Sequence, residues 1–115
     1  MHVTIYHNPR CSKSRQTLSL LEEKGIEPII VKYLDNPPSE DTLRQLLDQL
    51  GISAHDLIRT GESEYKELGL AEKIDDDDAL VAAMASHPKL IQRPIVVANG
   101  KARLGRPPES VLEIL

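Results

Sequence analysis

The run Val3-Thr4-Ile5 predicts a strand over about residues 2–6, and a loop, Tyr6-His7-Asn8-Pro9-Arg10-Cys11, follows it. An amphipathic helical pattern takes over from residue 12 to about 24. Leu18 and Leu21 mark its expected buried face, Thr17 and Leu20 flank it, and Gly25 suits the C-terminal cap. Ile29-Ile30-Val31 then reads as a short buried strand running on to Tyr33, with Pro28 at its start. Strand, helix and strand at this spacing form a βαβ unit, whose two strands run parallel.

The middle of the chain is helical throughout. Asn36-Pro37-Pro38 is a stiff turn, Ser39 caps a helix, and Leu43, Leu46, Leu47 and Leu50 recur at helical spacing before Gly51. Ser53 to Asp56 opens a short helix expected to carry Leu57 and Ile58, and a further turn is expected from Glu64 to Leu68. Asp75 or Asp76 caps a helix reaching about Ser86, which His87-Pro88 stops. The pattern then returns to strands. Ile95-Val96-Val97 pairs through the Asn99-Gly100 turn with about residues 101–104, and a last helix is expected over 109–115, with Val111, Leu112 and Leu115 on its apolar face.

The order β-α-β, helices, β-β-α describes an α/β, thioredoxin-like fold. It has a four-stranded mixed sheet and a helical insertion between the βαβ and ββα halves. Residues 1–115 are expected to form a single domain. In this fold the end of the first strand lies beside the loop before the third. Pro94 is therefore expected next to Cys11, with its peptide bond to Arg93 cis.

Composition sharpens this picture in three places. Phe and Trp are absent, so aliphatic side chains must fill the core. The net charge of −4 argues against broad nucleic-acid binding, which needs a basic face. No apolar run approaches the ~18 residues of a membrane span, and the single cysteine suits a reducing cytoplasm. The run Asp75 to Asp78 lacks the spacing and glycine of a calcium loop and reads as helix-start charge, so no metal is expected. No bound cofactor is expected, and a monomer is the expected state.

Cys11 carries the candidate chemistry. It falls where the loop becomes a helix, facing the first backbone N–H groups and the positive end of the helix dipole, with Arg10, Lys13 and Arg15 nearby. Each feature favours the thiolate, whereas a lone cysteine is otherwise a small buried hydrophobe. Ser14, three residues on, lies on the same helix face and is placed to donate to the sulfur. His7 either supports the thiolate from the helix start or is a hydrogen-bonder of the turn. Arg59, Arg93 and Arg106 all sit in loops. Guanidinium groups converging on a thiolate would bind a tetrahedral oxyanion through bidentate pairing.

Several separated motifs occur in one order. They are Ile5-Tyr6-His7-Asn8-Pro9 leading to Cys11 and Ser14-Arg15, Tyr33-Leu34 before Pro37-Pro38, Glu67-Leu68-Gly69-Leu70, His87-Pro88, Arg93-Pro94-Ile95-Val96-Val97 and Arg106-Pro107. In these the chain resembles the arsenate reductases that depend on glutathione and glutaredoxin, over residues 5–115. The resemblance implies Cys11 as nucleophile and Arg59, Arg93 and Arg106 as oxyanion ligands, and it places the family's histidine on His7; with Ser14 and Pro94, as placed above, His7 is expected to support the site. It further implies a cysteinyl–arsenate adduct resolved by glutathione as co-substrate and by glutaredoxin.

Two other functions are compatible with the same residues. A glutathione-dependent thiol oxidoreductase would keep the thiol and change the substrate. A regulator binding RNA polymerase would resemble relatives that switch through C-x-x-C, but here the fourth position is Ser14, so no internal disulfide can form.

Overall fold

The computed structural model describes residues 2–115. The chain gathers into two compact units, one from its two ends, up to Asn36 and from Arg93 onward, the other from Pro37–Gln92.

The first unit is the mixed sheet with its helices. Strands β1 (Val3–His7), β2 (Ile29–Lys32), β3 (Ile95–Ala98) and β4 (Lys101–Leu104) lie in the order β2-β1-β3-β4. β1 runs parallel to β2 and antiparallel to β3, and β3 runs antiparallel to β4. This is the thioredoxin-like arrangement that the element order implied. Asn99 (φ 55°) and Gly100 (φ 75°) both take positive φ in the two-residue turn between β3 and β4, as a type I′ hairpin turn demands.

Period-two alternation decides what faces the core. Val3, Ile5 and His7 are the buried positions of β1. Val3 lies opposite Ala98 and Ile5 opposite Val96. With Leu21, Val111 and Ile114 they form an aliphatic cluster without an aromatic ring. Each large member contributes about 1.5–3 kcal/mol on burial. His7 continues the buried row, so its imidazole must find a polar partner inside the protein.

Helix α1 (Ser12–Glu23) differs from expectation in what it buries. Its fully covered face is Ser14, Thr17 and Leu21, whereas Leu18 is only half-covered. The polar first turn is the part held against the loop that ends β1. β2 also departs from its reading as a buried strand. Ile29 and Ile30 are 58% and 46% exposed, because β2 is the sheet edge and, among the described residues, has β1 as its only strand neighbour. The last helix is a 3-10 helix, Pro108–Ile114, instead of an α-helix over 109–115. Three residues per turn place Pro108, Val111 and Ile114 on the inner face, leaving Leu112 and Leu115 half-buried.

The second unit is helical. It holds α2 (Glu40–Leu50), α3 (Ala54–Leu57), α4 (Ser63–Glu67) and α5 (Asp77–Ser86), with short 3-10 turns at Leu70–Lys73 and Pro88–Leu90. The cap at Ser39 is as read from sequence, its Oγ accepting the Thr42 N–H at 3.1 Å. Asp76 caps α5 by accepting from Ala79 N–H at 3.1 Å. Ile58 does not continue α3. It turns extended and pairs with Ile91 in an isolated antiparallel bridge, which aligns the chain on either side of Arg59 and Leu90. No helix among the described residues is long and apolar enough to cross a membrane.

Candidate active site

The site is built at the C-terminal end of β1. Pro9 and Arg10 turn the chain, Cys11 N–H donates to Asn8 O at 3.0 Å, and Asn8 Oδ1 accepts from Arg10 N–H at 3.0 Å. Cys11 is therefore the N-cap of α1, in extended conformation (φ −95°, ψ 124°), and is 8% exposed. The register Tyr6↔Ile95 brings the loop before β3 alongside. The Arg93–Pro94 bond there is cis, as expected, and Arg106–Pro107 is cis too, which the sequence did not announce.

Two guanidinium groups converge on the sulfur. Arg106 Nη2 lies 3.8 Å from Cys11 Sγ, and Arg106 Nε donates to Arg93 O at 2.8 Å. The Arg93 Nε and Nη1 atoms are buried and have no hydrogen-bond partner among the described residues. Burial pushes the Cys11 thiol up. The backbone N–H of Ser14, the charge of Arg93, the backbone N–H of Lys13 and the charge of Arg106 together outweigh it, and the thiol titrates below its ordinary range.

This corrects the sequence reading in two respects. The charges stabilising the thiolate are Arg93 and Arg106, distant in sequence, and not the adjacent Arg10, Lys13 and Arg15, all of which are exposed. Nor does the Ser14 hydroxyl serve the sulfur. Ser14 Oγ is hydrogen-bonded to His7 Nδ1 at 2.6 Å and accepts the Asn8 N–H at 3.0 Å, leaving its backbone N–H to face Cys11. His7 is thereby a hydrogen-bonder of the turn. Burial, then Lys32 and Arg15, hold its pKa below the usual histidine value, so it is neutral near pH 7.

Arg59 belongs to the helical unit. Its Nη1 lies 2.5 Å from Glu62 Oε1, and its backbone N–H donates to Leu90 O at 2.6 Å. The structure thus brings together Cys11, His7, Ser14, Arg93, Pro94 and Arg106 in one unit and places Arg59 in the other. Among the described residues no group of three or more His, Cys, Asp or Glu is placed to hold a metal ion.

Gly105 is the residue that sequence reasoning missed. Its N–H donates to Pro94 O at 2.9 Å. A Cβ there would collide with Thr17 Oγ1 and stand 2.6 Å from Pro94 Cγ. Thr17, fully buried, is itself tied to Lys13 O at 2.8 Å. Helix α1, Pro94 and the Gly105-Arg106 segment therefore meet at one point. Ahead of Arg-Pro-Pro, Gly105 reads as mere loop punctuation, and nothing local distinguishes it.

Residues 6–114 match the ArsC family. The chain belongs to that family. Among ArsC-related proteins, it is 60% identical to "Uncharacterized protein YfgD" of Escherichia coli strain K12, over 98% of this chain and 96% of that one. It is 53% identical to an arsenate reductase of Neisseria meningitidis, over 98% and 97%. An arsenate reductase structure from Vibrio cholerae superposes with a TM-score of 0.97 at 59% identity, covering 100% and 98%. This ArsC chain therefore has relatives named for a single reaction as well as one named for none.

The arginine contribution to the thiol is directly measurable. The rate of Cys11 alkylation by iodoacetamide should rise with pH through an inflection below the ordinary thiol range. Arg106→Ala should move that inflection upward. An inflection that stays in place would show that the guanidinium does not stabilise the thiolate.

Proposed function

We propose that the chain reduces arsenate to arsenite through Cys11, with glutathione and glutaredoxin as external thiols. The observation that carries this reading is the Arg93 guanidinium. Two of its donor nitrogens are buried without a partner among the described residues, near a thiol that the same group helps to ionise. Buried donors without partners are costly, and an oxyanion would accept charge-assisted hydrogen bonds from this guanidinium. The relatives named arsenate reductase support arsenate as that oxyanion.

The chemistry follows from one thiol and two cations. The Cys11 thiolate attacks arsenic, an As–S bond forms, and one arsenate oxygen leaves as water after protonation. Arg93 and Arg106 hold the remaining oxygens and stabilise charge developing on them. A glutathione thiol displaces a second oxygen in the same way. A glutaredoxin thiolate then attacks the glutathionyl sulfur, and the As–S bonding pair stays on arsenic, reducing As(V) to As(III). Water cleaves the Cys11–arsenic bond, releasing arsenite and the thiolate. Two thiols have become one mixed disulfide, which matches the two electrons gained by arsenic. The chain has a single cysteine, so both oxidised thiols must come from outside it. The resemblance adds Arg59 as a third oxyanion ligand.

The test is NADPH consumption with arsenate, glutathione, glutaredoxin and glutathione reductase, leaving out one component at a time. Consumption should stop on omission of arsenate, glutathione or glutaredoxin. Arsenate-independent consumption on a glutathionylated disulfide, surviving Arg59→Ala and Arg93→Ala, would identify a thiol oxidoreductase instead.

A further inference from the structure

Arg59, the candidate site residue of the helical unit, is held in place by a second residue of that unit. Its backbone is fixed at the Ile58↔Ile91 bridge, where Arg59 N–H donates to Leu90 O at 2.6 Å and Gln92 N–H to Leu57 O at 2.8 Å. The chain then turns through Thr60 and Gly61, and Glu62 N–H donates back to Arg59 O at 3.3 Å. That turn sets the Glu62 carboxylate on the guanidinium, with Oε1 2.5 Å from Nη1. Arg59 Nη1 also donates to Lys89 O at 3.5 Å. All of these residues lie within Pro37–Gln92.

The pair is not an ordinary surface contact. Glu62 is the N-cap of α4, where a side-chain oxygen commonly accepts a helix N–H, yet its side chain caps nothing. Only its backbone O does so, accepting from Tyr65 N–H at 3.1 Å, and the carboxylate is spent on Arg59. The two side chains are 28% and 26% exposed, against 45% and 83% for Arg44–Asp78 and 36% and 64% for Arg103–Glu113. Water therefore screens this pair least, and it can hold a long side chain that more exposed pairs leave free. The hold is one-sided. Nη1 is engaged, while Nε and Nη2 make no hydrogen bond among the described residues and are not buried. Nε and Nη2 form the side-on edge of the fork, which can pair with two oxygens of one oxyanion.

We infer that Glu62 is a positioning residue for oxyanion binding, fixing Arg59 by Nη1 so that its Nε–Nη2 edge is presented preformed. The inference rests on the proposed reading of Arg59 as a third oxyanion ligand. A free arginine samples many rotamers and loses that freedom when it binds, and an ion pair already in place removes the loss. A carboxylate competing for the anion site would occupy the side-on edge, and Glu62 leaves it open. The negative charge of Glu62 repels an incoming oxyanion, but the guanidinium it touches already offsets that charge, so orientation outweighs repulsion.

The experiment titrates the full chain with sodium arsenate in the absence of glutathione, following the Arg59 Nε–H resonance and the heat of binding. Glu62→Gln keeps the size of the side chain and removes its charge. It should weaken arsenate binding roughly fivefold or more, and Arg59→Ala should weaken it further. Glu62→Gln added to Arg59→Ala should change binding less than about twofold, because Glu62 acts only through Arg59. In turnover Glu62→Gln should raise KM for arsenate by a similar factor and leave kcat and KM for glutathione within about twofold of wild type. No saturable binding, unchanged or tighter binding in Glu62→Gln, an equal effect with Arg59 already removed, or binding indifferent to Arg59→Ala would each overturn the inference. Coupled Glu62 and Arg59 effects on arsenate binding, in a protein without glutathione-dependent turnover, would uphold Glu62 and sink the reductase reading. Glutathione-dependent arsenate turnover that Glu62→Gln leaves unchanged would do the reverse.

Discussion

Replacing Cys11 with serine should lower arsenate-dependent NADPH consumption by roughly 10³-fold or more, a loss of the kind seen when a nucleophile is removed. Serine keeps the size of the side chain and its place at the N-cap of α1. It also keeps the backbone N–H groups of Lys13 and Ser14 and the guanidinium groups of Arg93 and Arg106 around the oxygen. What it removes is an atom that ionises near neutral pH. The pocket lowers the pKa of a thiol that already lies within reach, whereas an alcohol starts far above any such shift. Serine also gives no sulfur–arsenic linkage for the external thiols to resolve. The variant should fold as wild type, so a thermal melt separates lost chemistry from lost structure. Turnover within tenfold of wild type would remove Cys11 from the mechanism.

Gly105→Ala should destabilise the protein by about 1–3 kcal/mol, the usual cost of overpacking a tight contact, and should raise the Cys11 thiol pKa as well. The added methyl would overlap Thr17 Oγ1 and crowd Pro94 Cγ at 2.6 Å. Relief requires the 105–106 segment, Pro94 or the first turns of α1 to move. Arg106 reaches the sulfur from this segment and is tied to Arg93 O at 2.8 Å, so any such shift loosens the charge cluster. Chemical denaturation and the pH profile of Cys11 alkylation read the two effects separately. Gly61→Ala is the control, since a Cβ there meets nothing within 4 Å. Wild-type stability together with an unmoved alkylation profile in Gly105→Ala would show that the contact does not support the site.

Much of the frame was legible because it rests on local patterns. The order of strands and helices followed from periodicity and caps, and Ser39, Asp76 and the Asn99-Gly100 turn do what their residue types demand. The placement of Pro94 beside the Cys11 loop followed from topology, since an antiparallel third strand must start where the first one ends. The departures share a cause. Ile29 and Ile30 have the composition of a buried strand, but exposure depends on strand order, which no local run encodes. Residues 108–114 have apolar positions compatible with two helical periods, and packing on the sheet selected the tighter one.

The site divides along the same line. By itself the sequence determined that one thiol sits at a helix N-terminus, that loop arginines accompany it, and that no second cysteine can resolve an intermediate. These are properties of residue type and spacing, available without coordinates. Only the tertiary structure decided which cations hold the thiolate. Arg93 and Arg106 do so because β3 lies beside β1 and β4 beside β3, while the adjacent Arg10, Lys13 and Arg15 stand in solvent, where their charge is screened. It also decided that Ser14 spends its hydroxyl on His7 and Asn8, and that Gly105 must lack a side chain. Hydrogen-bond partners and steric contacts are relations between segments far apart in the chain, and they exist only once the sheet has brought those segments together.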